Sequence, residues 1–120
     1  MNVRAIRGAI QIDADTPSLM QEAVTELITA IMESNSLSSK DLISVLFTCT
    51  PDLVSDFPAA SARAMGLGAV PLLCAVEMAV PASLPRTIRV MVNVNTDKAR
   101  GEIQHIYLRG ATALRKDIAQ

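Results

Sequence analysis

The residue pattern predicts an α+β chain: one mixed β-sheet, one long helix and short helical turns. Short aliphatic runs of strand length recur along the chain, one stretch repeats its apolar residues at helical spacing, and glycine and proline mark the boundaries between them.

Val3 to Arg7 reads as the first strand, closed by Gly8, with Ile10 to Ile12 continuing it past a bend or bulge at the glycine. Thr16-Pro17 pairs a capping residue with a proline at the first helical position, and Leu19, Ala23, Leu27 and Ile31 follow at helical spacing beside Met20, Val24 and Ile28. That helix buries its aliphatic stripe, exposes Gln21, Glu22, Glu26 and Thr29, and ends near Asn35. Ser38 to Asp41 is a short capped turn, and Leu42 to Cys49 is a central strand. Thr50-Pro51-Asp52 breaks it. Phe57 to Met65 gives a short helix stopped by Gly66 and Gly68, and Val70 to Val76 a third buried strand running into Glu77. A loop punctuated by Pro81 and Pro85 leads to Thr87–Val94, a loop at 95–101 follows, and Ile103 to Leu108 is extended ahead of a tail containing Arg115. One long helix covers one sheet face only. The other face is expected to pack against copies of the chain around a symmetry axis.

At 120 residues the chain reads as one domain spanning 1–120, with little room to enclose a private ligand cavity, so a site shared between subunits is expected. Hydrophobic residues make up 50% and aromatics 2%, so the core is aliphatic, and that much aliphatic surface on a small chain favours self-association. A net charge of -1 without a Lys/Arg cluster argues against nucleic acid as a partner. The N-terminus carries no apolar signal core, no apolar stretch is long enough to span a bilayer, and Cys49 and Cys74 lack paired-cysteine spacing. A cytoplasmic protein with reduced thiols, no metal and no membrane partner is expected.

Arg89 is the residue that calls for explanation. In Thr87–Val94, Ile88, Val90, Val92 and Val94 alternate onto one face, which turns Arg89 onto the other with Met91 and Asn93. A solvated edge strand would accommodate it, and so would a polar pocket. There is no phosphate loop, nucleophile elbow or metal-binding histidine pattern, and His105 is the only imidazole, better read as structural than as a catalyst. What remains is a set of strand-borne polar residues in apolar contexts: Arg7, Cys74, Glu77, Arg89 and Tyr107. Together they offer two cations for a dianion, a carboxylate for a hydroxyl, and a phenol, all on rigid elements. A surface ion pair between Arg7 and Glu77 is the plainer account of the same residues.

The strings Arg4-Ala-Ile-Arg-Gly8, Thr50-Pro-Asp-Leu53 with Phe57-Pro-Ala59 and Arg63, Val70 to Met78, Ile88-Arg-Val-Met91, and His105-Ile-Tyr-Leu108 with Leu114-Arg115 are similar, in order over nearly the whole chain, to the monofunctional AroH-class chorismate mutases. The resemblance implies a homotrimeric pseudo-α/β barrel of the chorismate mutase/YjgF-like kind, with sites at subunit interfaces that convert chorismate to prephenate without a cofactor. It implies that Arg89 and Glu77 are catalytic. Arg7, Leu73, Cys74 and Tyr107 would bind substrate from the same subunit, Phe57, Ala59 and Arg63 from its neighbour, and Leu114 and Arg115 from the C-terminal tail. A concerted [3,3] rearrangement needs no nucleophile, base or metal. Two positions depart from the family's usual pattern: Ala60 stands where lysine is frequent and Leu73 where threonine is frequent, so weaker substrate capture is expected before weaker chemistry. The alternatives are a non-catalytic trimeric module for small carboxylates and an imine deaminase of the YjgF/RidA type. A binding module would tolerate loss of Glu77, Arg89 and Tyr107, and a deaminase would act on enamines instead of chorismate.

Overall fold

Ten residues of unbroken antiparallel pairing, Asn2 opposite Thr96 through Gln11 opposite Thr87, join the first strand to the fourth and form the spine of the molecule. The computed structural model describes residues 1–114. In chain order it has β1 (Asn2–Gln11), α1 (Pro17–Ser34), a 3-10 turn (Ser39–Asp41), β2 (Leu42–Cys49), α2 (Pro58–Ala62), β3 (Leu72–Val76), β4 (Thr87–Thr96), a 3-10 turn (Arg100–Glu102), β5 (Ile106–Leu108) and a last 3-10 turn (Arg109–Ala113). The five strands form one mixed sheet in the order β3-β2-β4-β1-β5. β4 runs antiparallel to its neighbours β1 and β2, while β1 pairs parallel with β5 and β2 parallel with β3.

α1 starts where Thr16 accepts the Leu19 N–H at 3.1 Å and Pro17 occupies the first turn, and it ends at Asn35. Its buried stripe is Met20, Ala23, Val24, Leu27, Ile28 and Ile31. These side chains pack on Ile6 and Ile10 of β1, Val45 and Phe47 of β2, and Ile88, Val90, Val92 and Val94 of β4, the residues that strand alternation turns toward the helix. The opposite sheet face carries Arg7, Leu46, Thr48, Arg89 and Met91; among the described residues only a small cluster of Ala111, Leu84 and Leu114 packs on it, over Ala9 and Tyr107 at one end, and Leu46 and Met91 stay exposed. No helix of the described residues is long and apolar enough to cross a membrane.

Four expectations from the sequence change here. β1 neither stops nor bends at Gly8, because the glycine answers a packing demand: a Cβ there would lie 2.9 Å from Ile31 Cδ1 and 3.1 Å from both the Ile106 carbonyl and Val90 Cγ1. Gly8→Ala is expected to destabilise the fold by about 1–3 kcal/mol, read as a lower urea midpoint at unchanged m-value. The segment after Phe57 passes from α2 into a wider turn at Arg63–Leu67. Gly66 alone adopts a left-handed backbone there (φ 102°), whereas Gly68 is an ordinary helical residue. β3 is an edge strand, not a buried one: Leu73 is 66% and Val76 71% exposed, since β2 flanks it on one side only. β5 begins only at Ile106, because both backbone groups of Gln104 are taken by the Asn35 side chain.

Candidate active site

The polar residues of the open face converge because the sheet order brings β4 between β2 and β1. Arg89 lies directly across from Thr48 on β2 and Ala9 on β1, and Arg7 across from Met91. Glu77 follows β3 and is tied to β2 by its N–H, which donates to the Cys49 carbonyl at 2.8 Å. Alternation from Leu73 and Ala75 places its side chain on the face of Arg89. The Thr48 hydroxyl donates to Glu77 Oε2 at 2.7 Å, and the same oxygen lies 3.5 Å from Arg89 Nε. Glu77 therefore orients Arg89 through one edge of the guanidinium. Among the described residues Arg89 takes no other partner, which leaves its terminal nitrogens for a ligand.

Arg7, Gly8, Leu46, Thr48, Glu77, Arg89, Val90, Met91 and Tyr107 line one open pocket of about 240 Å³. Tyr107 is 4% exposed, packed with Ala9 and Ala111 while its ring borders this pocket. Neither its hydroxyl nor the Arg7 guanidinium has a hydrogen-bond partner among the described residues. Two guanidinium groups, one carboxylate and one phenol thus face a common space whose floor is a hydrogen-bonded sheet. The volume is at the small end for an organic ligand, and the pocket stands open on the side away from the sheet.

β4 is held in this register from its first residues. Asp52 accepts the Arg86 N–H with both oxygens at 3.2 and 3.0 Å, and Thr50 Oγ1 accepts the Thr87 N–H at 3.0 Å. A slip by one residue would carry Arg89 to the helix side, so this clamp is part of the site.

Other sequence-selected residues lie elsewhere within one chain. Leu73 shares the open face, paired with Leu46 and exposed. The Cys74 side chain points to the helix-covered face, half-buried against the core, and lines a second pocket of about 470 Å³ with Cys49, Thr50, Leu53, Asp56 and Phe57. What Cys74 presents outward is backbone. Val45 N–H donates to Pro71 and Glu77 N–H to Cys49, so the odd-numbered residues of β3 bond β2, and the N–H and C=O of Cys74 face the free edge. Burial pushes the neighbouring Cys49 thiol up to about 12, reinforced by the nearby Cys74, Asp15, Asp52 and Glu77 charges.

Phe57, 68% exposed, and Arg63, also exposed, reach outward at either end of α2, whereas Ala59 is turned into its own core. Ala60, on the same helix, is half-buried. Leu114 packs on the Ala9–Tyr107–Ala111 cluster at the pocket's edge, and Arg115 lies outside the described residues. Thr48 was missed from the sequence. Its signal was alternation within a run that reads as continuously apolar, since Leu46 and Thr48 share the parity that faces Arg89. No group of three or more His, Cys, Asp or Glu side chains gathers as a metal site among the described residues.

With this geometry in place, comparison with known proteins is direct. The model of the family described as chorismate mutase type I matches residues 3–118. The chorismate mutase AroH of Thermus thermophilus is 48% identical over 117 residues, spanning 97% of this chain and 96% of that protein. The chorismate mutase AroH of Bacillus subtilis is 37% identical over 120 residues, spanning 99% of this chain and 94% of the other. A solved chorismate mutase from Clostridium thermocellum superposes with a TM-score of 0.89 at 43% identity, covering 91% of this chain and 97% of its own. The chain belongs to the chorismate mutase type I family.

Proposed function

We propose that the chorismate mutase activity of this chain, the intramolecular [3,3] rearrangement of chorismate to prephenate, is performed by the pocket holding Arg7, Glu77, Arg89 and Tyr107. The reaction breaks an ether C–O bond ahead of forming a C–C bond within one molecule. A catalyst has two tasks: to hold a flexible dianion in the compact diaxial chair, and to stabilise negative charge growing on the ether oxygen.

Arg89 performs the second task. Its Nε edge is held by Glu77 and its terminal nitrogens face the pocket, so a fixed cation meets the ether oxygen without reorganising during the reaction. Arg7 and the Tyr107 hydroxyl bind a carboxylate, for which the guanidinium supplies a two-pronged donor. Glu77, with one oxygen committed to Thr48 and Arg89, accepts the ring hydroxyl with the outward backbone of Cys74 alongside. The observation that carries this reading is the Thr48–Glu77–Arg89 arrangement, which presents a cation oriented by the protein and available to substrate.

The pocket is completed by a second copy of the chain. Its open side and the exposed Leu46, Leu73 and Met91 around it support a homotrimer in which Phe57 and Arg63 of a neighbour close over the substrate. Ala60 leaves that wall without the lysine frequent in the family, so capture of the dianion relies on Arg7, Arg63 and Arg89. The enzyme works in the cytoplasm, serving Phe and Tyr synthesis, with both thiols reduced. Purified protein is expected to deplete the ultraviolet absorbance of chorismate with prephenate as sole product and to sediment at three times the chain mass. Unchanged absorbance at micromolar enzyme would refute the assignment of this pocket, and a monomer that turns over normally would refute the shared site.

A further inference from the structure

Arg7 is held by an unusual contact. Its backbone N–H, on the β5 side of β1, donates not to a strand carbonyl but to the ring Nδ1 of His105 at 2.9 Å. The β1–β5 ladder pairs Gly8 with Ile106, Ala9 with Tyr107 and Ile10 with Leu108. One more step of that parallel ladder would give the Arg7 N–H the carbonyl of Gln104. That carbonyl is already engaged: it accepts from Asn35 Nδ2 at 2.9 Å, while the Gln104 N–H donates to Asn35 Oδ1 at 2.8 Å. Asn35 also donates to the Ile31 carbonyl at 2.9 Å and is buried, so the C-terminus of α1 grips residue 104 and pulls it out of the sheet. The imidazole fills the resulting gap.

We infer that His105 is a positioning residue for substrate binding: in its neutral form its Nδ1 fixes the backbone of Arg7 and so aims the guanidinium into the pocket, and protonation releases it. This rests on the reading that Arg7 binds a substrate carboxylate. An imidazolium has a proton on both nitrogens and cannot accept, so charging the ring sets N–H against N–H at the residue that carries the carboxylate donor. Among the described residues, Arg4 and Arg7 from β1 and Arg100 from the 3-10 turn line the same groove as His105, so protonation places a further cation beside guanidinium groups. On that turn Glu102 is engaged with the Ala99 N–H at 2.7 Å, and on α1 the carboxylates of Glu22, Glu26 and Glu33 border a different groove. The acid-sensitive element thus lies in a groove that adjoins the substrate pocket and shares Arg7 and Met91 with it.

The test measures kcat and KM for chorismate between pH 5 and 9 for the wild type, His105→Asn, His105→Leu and Arg7→Ala. Asn places an acceptor oxygen near the position of Nδ1 and does not titrate, whereas Leu offers no acceptor. In the wild type KM is expected to rise about tenfold on acidification through the imidazole range, roughly pH 8 to 5, with kcat changing less than about threefold. His105→Asn keeps a low KM and loses this acid limb. His105→Leu shows KM raised about tenfold at every pH with kcat within about threefold, because a ground-state binding group has been misaimed. An acid limb that persists unchanged in His105→Asn does not arise from His105. If His105→Asn retains the wild-type pH profile, or His105→Leu binds chorismate normally, the positioning role is overturned. Unchanged KM in Arg7→Ala would overturn the carboxylate role of Arg7 itself and this inference with it, whereas raised KM in Arg7→Ala alone would overturn only the role of His105.

Discussion

Arg89→Ala is expected to leave a folded protein that turns chorismate over about a hundredfold to a thousandfold more slowly. The magnitude follows from where the charge sits. A donor already aimed at developing negative charge is worth roughly 3–4 kcal/mol in the transition state. Arg89 stands on the third strand of a five-stranded sheet, flanked by ladders on both sides, with Nε beside Glu77. Its displacement during the reaction is small. Its side chain is 46% exposed and its ion pair with Glu77 is partly solvated, so removing it costs stability less than about 1 kcal/mol. The loss therefore appears in kcat, at an unchanged denaturation midpoint. Arg89→Lys restores the charge but not the planar fork, and is expected to recover only part of the rate because one ammonium cannot face both Glu77 and the ether oxygen. Turnover within tenfold of wild type in Arg89→Ala would remove Arg89 from the mechanism and with it the electrostatic account.

Glu77→Ala is expected to lower kcat/KM by on the order of a hundredfold, with the loss in both kcat and KM. The carboxylate serves two partners at once. One oxygen accepts the Thr48 hydroxyl at 2.7 Å and holds Arg89 Nε at 3.5 Å, and the group also faces the pocket where the ring hydroxyl would lie. Alanine frees the guanidinium to swing and removes the hydroxyl acceptor together. Glu77→Gln separates these effects: the amide keeps an acceptor but not the charge, so substrate affinity is expected to hold better than turnover. Thr48→Val gives a control of smaller effect, about tenfold, because it keeps the Glu77 carboxylate and its pairing with Arg89 and removes only the hydroxyl donor that orients it. Loss of kcat/KM below threefold in Glu77→Ala, from the chorismate absorbance assay at matched ionic strength, would exclude Glu77 from substrate contact.

Much of the scaffold was legible because the signals are local. Thr16-Pro17 and the stripe from Leu19 to Ile31 marked α1 to within a residue or two, and alternation in Thr87–Val94 put Arg89 opposite the aliphatics. Errors arose where a distant partner decided the outcome. Gly8 was read as a bend because a glycine inside a strand pattern usually signals one, yet its small size serves Ile31 of α1 and Val90 of β4. Val70 to Val76 read as buried from its composition, whereas its place at the sheet edge leaves Leu73, Ala75 and Val76 exposed. Ile103 to Gln104 read as strand, although Asn35 draws that backbone aside. Cys74 stands with Arg89 among the strand-borne polar residues of the sequence, and alternation on β3 turns its side chain to the other face.

Residue order alone determined which side of each strand and helix a side chain occupies, because that follows from backbone periods of two and 3.6 residues that need no neighbour. It also specified the aliphatic core and the polar residues left over. Only the folded chain decided which leftovers meet. The strand order β3-β2-β4-β1-β5 brings Thr48 and Arg89 each within bonding distance of Glu77 and sets His105 behind Arg7. Those adjacencies depend on pairing between segments tens of residues apart, and pairing of that kind is settled by the packing of the whole sheet on α1.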